Sequence, residues 1–309
     1  MVDYKNIHFV VNPAAGQPEP VLYVINKVLY PHDVKWGLSV TRADGDGAKF
    51  AKQAIEQGAD LIVSYGGDGT VKDVANGLLD TDVPMALLHG GTGNAMAYEL
   101  GIPSDLEQAV ELIVSDHELH AVDVGQVTCH DDPDTTGYFM LRMSMGLQTK
   151  ILETASRDLK TKYGNLAYVM ASLQELRTSE TLTYRMTIDG DEVSGEGLTS
   201  LIANSAHVGG QVNFTFLPKV NPADGLLDVL VIGDSFVGTM GMIGSALKIE
   251  GSSFEQHWQG KEIIVHEPES QLITLDGEIF GKTPATIKII SGAVKIIVPI
   301  AEEPEGDTD

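Results

Sequence analysis

The chain has 309 residues, 43% of them hydrophobic and 21% charged, a globular composition with room for two domains. Its 44 acidic and 20 basic residues leave a formal charge of −24, which excludes a generic nucleic-acid binder, because phosphate contacts need a basic face. The same balance argues against electrostatic docking on an anionic membrane and is read first as a source of solubility.

The single cysteine, Cys129, cannot form an internal disulfide, which fits a reducing cytoplasm. Met1–Asn6 has no signal-peptide pattern. The longest stretch free of Asp, Glu, Lys and Arg, Gly197 to Pro218, is studded with Thr, Ser, Asn, His and Gln and reads as strands and a loop, not a membrane span.

In chain order, the first ~120 residues alternate strand and helix patterns in the manner of parallel α/β units. Ile7–Val11 is a β-branched run ending in Asn12-Pro13-Ala14-Ala15-Gly16, followed by a helical stretch over Glu19–Leu29. Val34–Thr41 predicts a strand, and Asp44–Gln57 a helix closed by Gly58. Leu61–Tyr65 predicts a strand running into Gly66-Gly67-Asp68-Gly69-Thr70, with a helix over Val71–Leu79. Met85–Leu88 predicts another, breaking into Gly90-Gly91-Thr92-Gly93-Asn94 and a further helix. Ser104-Asp105-Leu106-Glu107 matches a capping box and predicts a helix over Ser104–Ser115.

Beyond His120, strands dominate: His120–Thr128, Tyr138–Met145, Thr181–Ile188, Leu198–Asn204, Leu226–Ile232, Glu262–His266, Gln271–Leu275 and Ala285–Val298. Asp189-Gly190 and Asp276-Gly277 carry the hairpin signal. Helical patterns interrupt at Leu159–Thr178 and Phe236–Ile249. The apolar stretch Ser235–Leu247 and Asp158-Leu159-Lys160 are possible lipid-facing features, while Glu302–Asp309 reads as an acidic disordered tail. The domains expected are thus 1–122, an α/β nucleotide-binding domain, and 123–301, a β-sandwich-like domain, with the tail at 302–309.

Both glycine-rich loops follow a strand and precede a helix, where helix N-termini offer N–H groups to anions and glycine lets the backbone approach a phosphate. Neither is a P-loop, since no Gly-Lys-Ser/Thr follows, and neither has the dinucleotide G-x-G-x-x-G spacing. A carboxylate among glycines, Asp68, repels bare phosphate and so points to a Mg2+ ion between it and a nucleotide. A plainer reading stays open for each feature: glycine suits any strand–helix turn, and Glu278 and Asp224 stand in ordinary turn sequences.

Gly66-Gly67-Asp68-Gly69-Thr70, about 20 residues ahead of Gly91-Thr92-Gly93-Asn94 and Leu100-Gly101-Ile102-Pro103, resembles the diacylglycerol kinase-like lipid kinase family, which includes sphingosine kinases and bacterial relatives. Asn12-Pro13-Ala14-Ala15-Gly16, Asp224-Gly225-Leu226-Leu227-Asp228-Val229 and Leu275-Asp276-Gly277-Glu278 look like further motifs of that family, in its order. The resemblance implies an α/β domain of NAD kinase/diacylglycerol kinase type and a β-rich domain, with ATP and the lipid headgroup meeting in the cleft between them. It implies that Asn12, Gly66, Gly67, Asp68, Gly69, Thr70, Val71, Lys72 and Thr92 line the ATP phosphates, with Thr41 near the adenine or ribose. Glu278 would be the general base for the lipid hydroxyl, and Asp68 would hold catalytic Mg2+ or orient the nucleophile. Asp224, with the carbonyls of Asn221 and Leu226, would bind a second, structural Mg2+.

The expected partner is a lipid substrate, met through peripheral contact at the inner face of the membrane from a cytoplasmic location; no nucleic acid is expected, and a homodimer stays open. The sequence departs from the family at Lys72 and Asp73, where relatives usually carry Asn and Glu, at Ala95 and His89, and at Gln17, where relatives often carry a basic residue. Two other readings compete with a lipid kinase: an NAD kinase, and a non-catalytic nucleotide or lipid sensor.

Overall fold

Apolar, β-branched runs with no polar alternation are what strands buried on both faces require. In the computed structural model they are parallel strands of an α/β unit. The structure describes residues 4–14, 19–146, 181–207, 220–233, 256–266 and 270–300. The sequence features at Gly16, Gln17, Asp158–Lys160, Leu159–Thr178, Phe236–Ile249 and the acidic tail lie outside these residues.

The chain divides into two units. Of the described residues, the first takes 4–14, 19–123, 206–207 and 291–300, and the second takes 124–146, 181–205, 220–233, 256–266 and 270–290. The first unit therefore includes segments that the sequence assigns to its second domain.

In the first unit, β1 (Asn6–Val11) lies between β2 (Lys35–Val40) and β3 (Leu61–Gly66), and β3 pairs with β4 (Met85–His89), all in parallel. A late strand, β16 (Ala285–Val298), joins β4 in parallel through Ile296 opposite Met85. Helices α1 (Val21–Leu29), α2 (Asp46–Glu56), α3 (Asp68–Leu78), α4 (Ala95–Glu99) and α5 (Leu106–Val114) complete it. Helices α2 and α3 cross closely, because a Cβ on Gly77 would stand 2.7 Å from the Ala48 carbonyl and one on Gly47 2.7 Å from the Asp73 Cβ.

Several boundaries differ from the sequence expectation by a few residues, and two of them have a clear local cause. Helix α3 begins at Asp68, not Val71, since Gly67 caps it and the Val71 amide already donates to the Gly67 carbonyl at 3.0 Å. The cap of α5 is Asp105, not Ser104: its Oδ1 accepts from the Gln108 amide at 3.0 Å, so the chain enters the helix one residue later.

The second unit is a sandwich. One sheet runs β12 (His257–Gly260), β11 (Leu227–Ile232), β10 (Thr199–Ala203), β7 (Arg142–Gly146), β14 (Leu272–Leu275) and β15 (Glu278–Lys282). Facing it are β8 (Leu182–Ile188), β9 (Asp191–Gly197), β13 (Glu262–Val265) and the first half of β16, with the hairpin of β5 (Glu118–Cys129) and β6 (Asp132–Phe139). Alternate residues of both layers, among them Phe139, Met143, Tyr184, Ile202, Val229, Ile263 and Ile273, form one buried core. Among the described residues no helix is long and apolar enough to cross a membrane.

The expected strand Tyr138–Met145 is two strands, β6 and β7, broken at Met140-Leu141 where the backbone amides turn to the Asp276 carboxylate. Strands β9, β12 and β15 are additions. Their Gly, Asp, Glu and Gln content gives little β-propensity, and hairpin pairing places them instead.

Candidate active site

Strand register gathers the loops of the first unit. Val11 lies opposite Val40 and Tyr65, and Gly66 lies opposite His89. The residues that follow these strands, Asn12, Thr41, Gly67 and Gly90, therefore leave from one carboxyl edge of a parallel sheet, the edge where open α/β folds hold ligands.

The two glycine loops are seated directly on each other. The Gly90 amide donates to the Gly66 carbonyl at 3.0 Å, continuing the β3–β4 ladder past the last side chain. A Cβ on Gly90 would lie 2.7 Å from the Gly66 nitrogen, and one on Gly91 would run into the Gly67 Cα. A Cβ on Gly93 would stand 2.7 Å from Asp68 Oδ2. Glycine is thus required here by backbone-to-backbone approach, a stronger demand than that of an ordinary turn. Asn94 closes the second loop on itself: its Oδ1 accepts from the Gly91 amide at 2.9 Å and its Nδ2 donates to the Gly91 carbonyl at 2.8 Å.

Around this seam the sequence candidates fall into place unevenly. Asn12 Nδ2 donates to Thr70 Oγ1 at 3.0 Å, and Asn12 Oδ1 accepts from the Ala14 amide at 3.0 Å, so the opening loop is tied to the first turn of α3. The Thr41 amide donates to the Val11 carbonyl at 2.9 Å. Asp68 and Gly69 share the first turn of α3 with Thr70, where the helix N-terminus favours anionic groups. Asp68 Oδ1 accepts from the Met96 amide at 3.3 Å and so also links the two loops. Thr92 is exposed and Lys72 half-buried. Val71 is 4% exposed and its amide is spent inside the helix, so it brings no polar group to the loop surface.

His89 stands at the end of β4. Its Nε2 lies 3.1 Å from the Ile102 carbonyl, which can only accept, so Nε2 carries the proton and donates. Its Nδ1 is buried with no hydrogen-bond partner. Tyr98 meets the ring edge-on at 4.9 Å, and His207 stacks on Tyr98 at 5.6 Å. Burial pushes the His89 pKa below the ordinary 6.5, against the pull of the Ile102 hydrogen bond and the charges of Asp68 and Glu19. The unfolded imidazole binds a proton at a higher pH than the folded one, so this contribution is full above pH 6.5 and is lost as pH falls below it. Urea titrations at falling pH are expected to show declining stability, and His89→Gln is expected to flatten that decline.

In the second unit, the turn Asp276-Gly277 has both residues in the left-handed region, at φ 49° and 87°. The Asp276 carboxylate accepts from the amides of Met140, Leu141 and Arg142 at 2.9, 3.0 and 2.9 Å. Glu278 opens β15 with an exposed side chain. The other Asp-Gly turn works in the same way: Asp189, at φ 49°, accepts from the amides of Lys261 and Glu262.

The proposed structural metal loop is built of turns held by their own side chains. Asp224 Oδ1 accepts from the Leu226 amide at 3.0 Å, and Asn221 Oδ1 from the Ala223 amide at 3.1 Å. Close by in charge is Asp228, 1% exposed, whose Oδ1 takes His257 Nε2 at 2.6 Å and Gln259 Nε2 at 3.1 Å. Burial raises the Asp228 pKa and the Asp224 charge adds to this, while His257 opposes it; Asp228 Oδ2 is buried without a partner. The carboxylate of Asp224 and the carbonyls of this turn are oxygen donors of the kind a hard divalent cation such as Mg2+ takes. Among the described residues no three His, Cys, Asp or Glu side chains converge on one point, so carbonyls and water would complete such a shell.

Sequence reasoning names Asn94 and Asp228 only as members of motifs and gives no individual role to them or to Tyr98, His207, Asn204 and His257. Asn94 was within reach, as the residue in the left-handed conformation (φ 52°) that caps α4. The others depend on contacts distant in sequence.

Residues 6–127 match the diacylglycerol kinase catalytic domain family, and residues 142–298 the YegS C-terminal NAD kinase beta sandwich-like domain family. An uncharacterized protein of Synechocystis sp. is 32% identical over 324 residues, covering 96% of this chain and 71% of that protein. A diacylglycerol kinase of Mycobacterium tuberculosis is 27% identical over 270 residues, covering 85% and 86%. The crystal structure of a diacylglycerol kinase from Bacillus anthracis str. Sterne matches with a TM-score of 0.76 at 25% identity, covering 96% of this chain and 98% of that one. With both halves matched in order, the chain belongs to the diacylglycerol kinase-like lipid kinase family, an α/β catalytic domain joined to a YegS-type β-sandwich domain.

Proposed function

We propose that the protein transfers the γ-phosphoryl group of ATP to a lipid hydroxyl, diacylglycerol being the first acceptor to test. The observation that carries this reading is the seam of two glycine loops at the carboxyl edge of the parallel sheet, with the first turn of α3 and Asp68 beside it. Phosphoryl transfer asks mainly for positioning and for neutralisation of phosphate charge. Backbone N–H groups can supply part of that in a chain of net charge −24.

In this reading the loop backbone, with Asn12, Thr70, Lys72 and Thr92, holds the polyphosphate, and Thr41 lies toward the nucleoside. Asp68 would hold the catalytic Mg2+, and Asp224 with the Asn221 and Leu226 carbonyls the structural one. The metal supplies charge neutralisation on the phosphate oxygens. Glu278 accepts the proton of the lipid hydroxyl as its oxygen bonds the γ-phosphorus and the bond to the β-phosphate oxygen breaks, releasing ADP. The acceptor implies work at a lipid surface, reached by peripheral contact from the cytoplasm.

The test is incubation with γ-labelled ATP and Mg2+, in parallel with diacylglycerol in detergent micelles, a total lipid extract, and NAD. Label in a phospholipid product, lost when Mg2+ is chelated, is the expected result. NADP formed with no lipid product would overturn the reading in favour of an NAD kinase. Nucleotide binding without turnover on any lipid would make the protein a sensor.

A further inference from the structure

We infer that Asn204 is a positioning residue for Glu278, an inference that rests on the general-base role proposed above. Asn204 is fully buried at the end of β10. Its Nδ2 donates to the Met140 carbonyl at 2.8 Å, and its amide to the Leu141 carbonyl at 2.8 Å. The next amide, of Ser205, also donates to the Leu141 carbonyl, at 3.0 Å.

The segment 140–142 is therefore gripped on both its polar edges. Its carbonyls at 140 and 141 are taken by Asn204 and Ser205, and its three amides by the Asp276 carboxylate. The Asp276 amide returns a bond to the Arg142 carbonyl at 2.9 Å. Two residues later the chain reaches Glu278, through a turn whose left-handed conformation is unfavourable for Asp276 unless held. The route from Asn204 to the base is thus a continuous chain of short hydrogen bonds with one turn at its end. A catalytic group misplaced by ~1 Å loses on the order of 10²-fold in rate, so the fixity of this segment is what the base depends on.

The test compares Asn204→Asp, which sets an acceptor against the Met140 carbonyl, and Asn204→Ala with the wild-type enzyme on ATP and lipid. Ile202→Val serves as a control that loosens the same strand without touching the clamp. Both Asn204 variants are expected to lose about 100-fold in kcat with the KM for ATP held within about twofold. Amide hydrogen exchange over residues 276–278 is expected to quicken in them.

In the wild type the amides of Met140, Leu141, Arg142 and Asp276 are expected to exchange as one cooperative unit, a measurement that stands even where the variants do not fold. Variant kcat within threefold of wild type, an equal loss in the control, or independent exchange of the Asp276 amide would each overturn the positioning role alone. No lipid product from the wild-type enzyme would overturn the kinase reading, and this role with it.

Discussion

Glu278→Gln is expected to lower kcat for lipid phosphorylation by about 10²- to 10⁴-fold, the usual contribution of a positioned general base. The change keeps the shape of the side chain and removes its capacity to take a proton. Glu278 is exposed at the first position of β15, and surface substitutions of this kind shift stability by only about 0.5 kcal/mol. Nucleotide affinity is expected to hold, because the glycine loops proposed to hold the phosphates belong to the other unit. Single-turnover kinetics with ATP in excess, alongside equilibrium binding of a fluorescent ATP analogue, separates the two quantities. A kcat within tenfold of wild type would remove Glu278 from the proton transfer.

Gly91→Ala is expected to fail earlier, at nucleotide binding. The added methyl group would run into the Gly67 Cα and stand 3.1 Å from the Gly67 nitrogen. Both are backbone atoms at the cap of α3, so no side chain can swing aside to make room. The loops must part, and the rearrangement should cost about 1–3 kcal/mol as overpacking does. Parting them also moves the α3 N-terminus away from the second loop, so ATP affinity should drop by at least about tenfold, or 1.4 kcal/mol. Calorimetric titration with ATP and thermal unfolding of the same sample check both effects. Unchanged affinity would mean that the seam does not hold the phosphates.

Much of this arrangement is legible in the sequence because its demands are local. Gly66, Gly67, Gly90 and Gly91 follow apolar strand runs and declare a strand-to-helix edge before any fold is known. The alternation of β1 to β4 with helices declares the parallel sheet. What stayed hidden depends on residues far apart in sequence. Nothing near Asp276 says that its carboxylate will take amides 134 to 136 residues away, or that Met140-Leu141 will interrupt an apolar strand pattern for that purpose. Polar strands such as β9 hide for a different reason: their pairing partners, and not their own propensity, make them strands.

Strand β16 carries one further consequence, for the making of the protein. Its last residues, 291–298, belong to the α/β unit, where Ile296 stands opposite Met85 of β4. That unit is therefore not a continuous stretch of chain. On the ribosome its sheet must wait for the whole sandwich sequence to emerge before β4 gains its outer neighbour, so the α/β unit cannot be finished while the sandwich is unmade. A fragment cut near residue 122 would leave β4 as an open sheet edge, with the aggregation hazard that such edges bring. Of the two units, the one begun first is thereby the last to be completed.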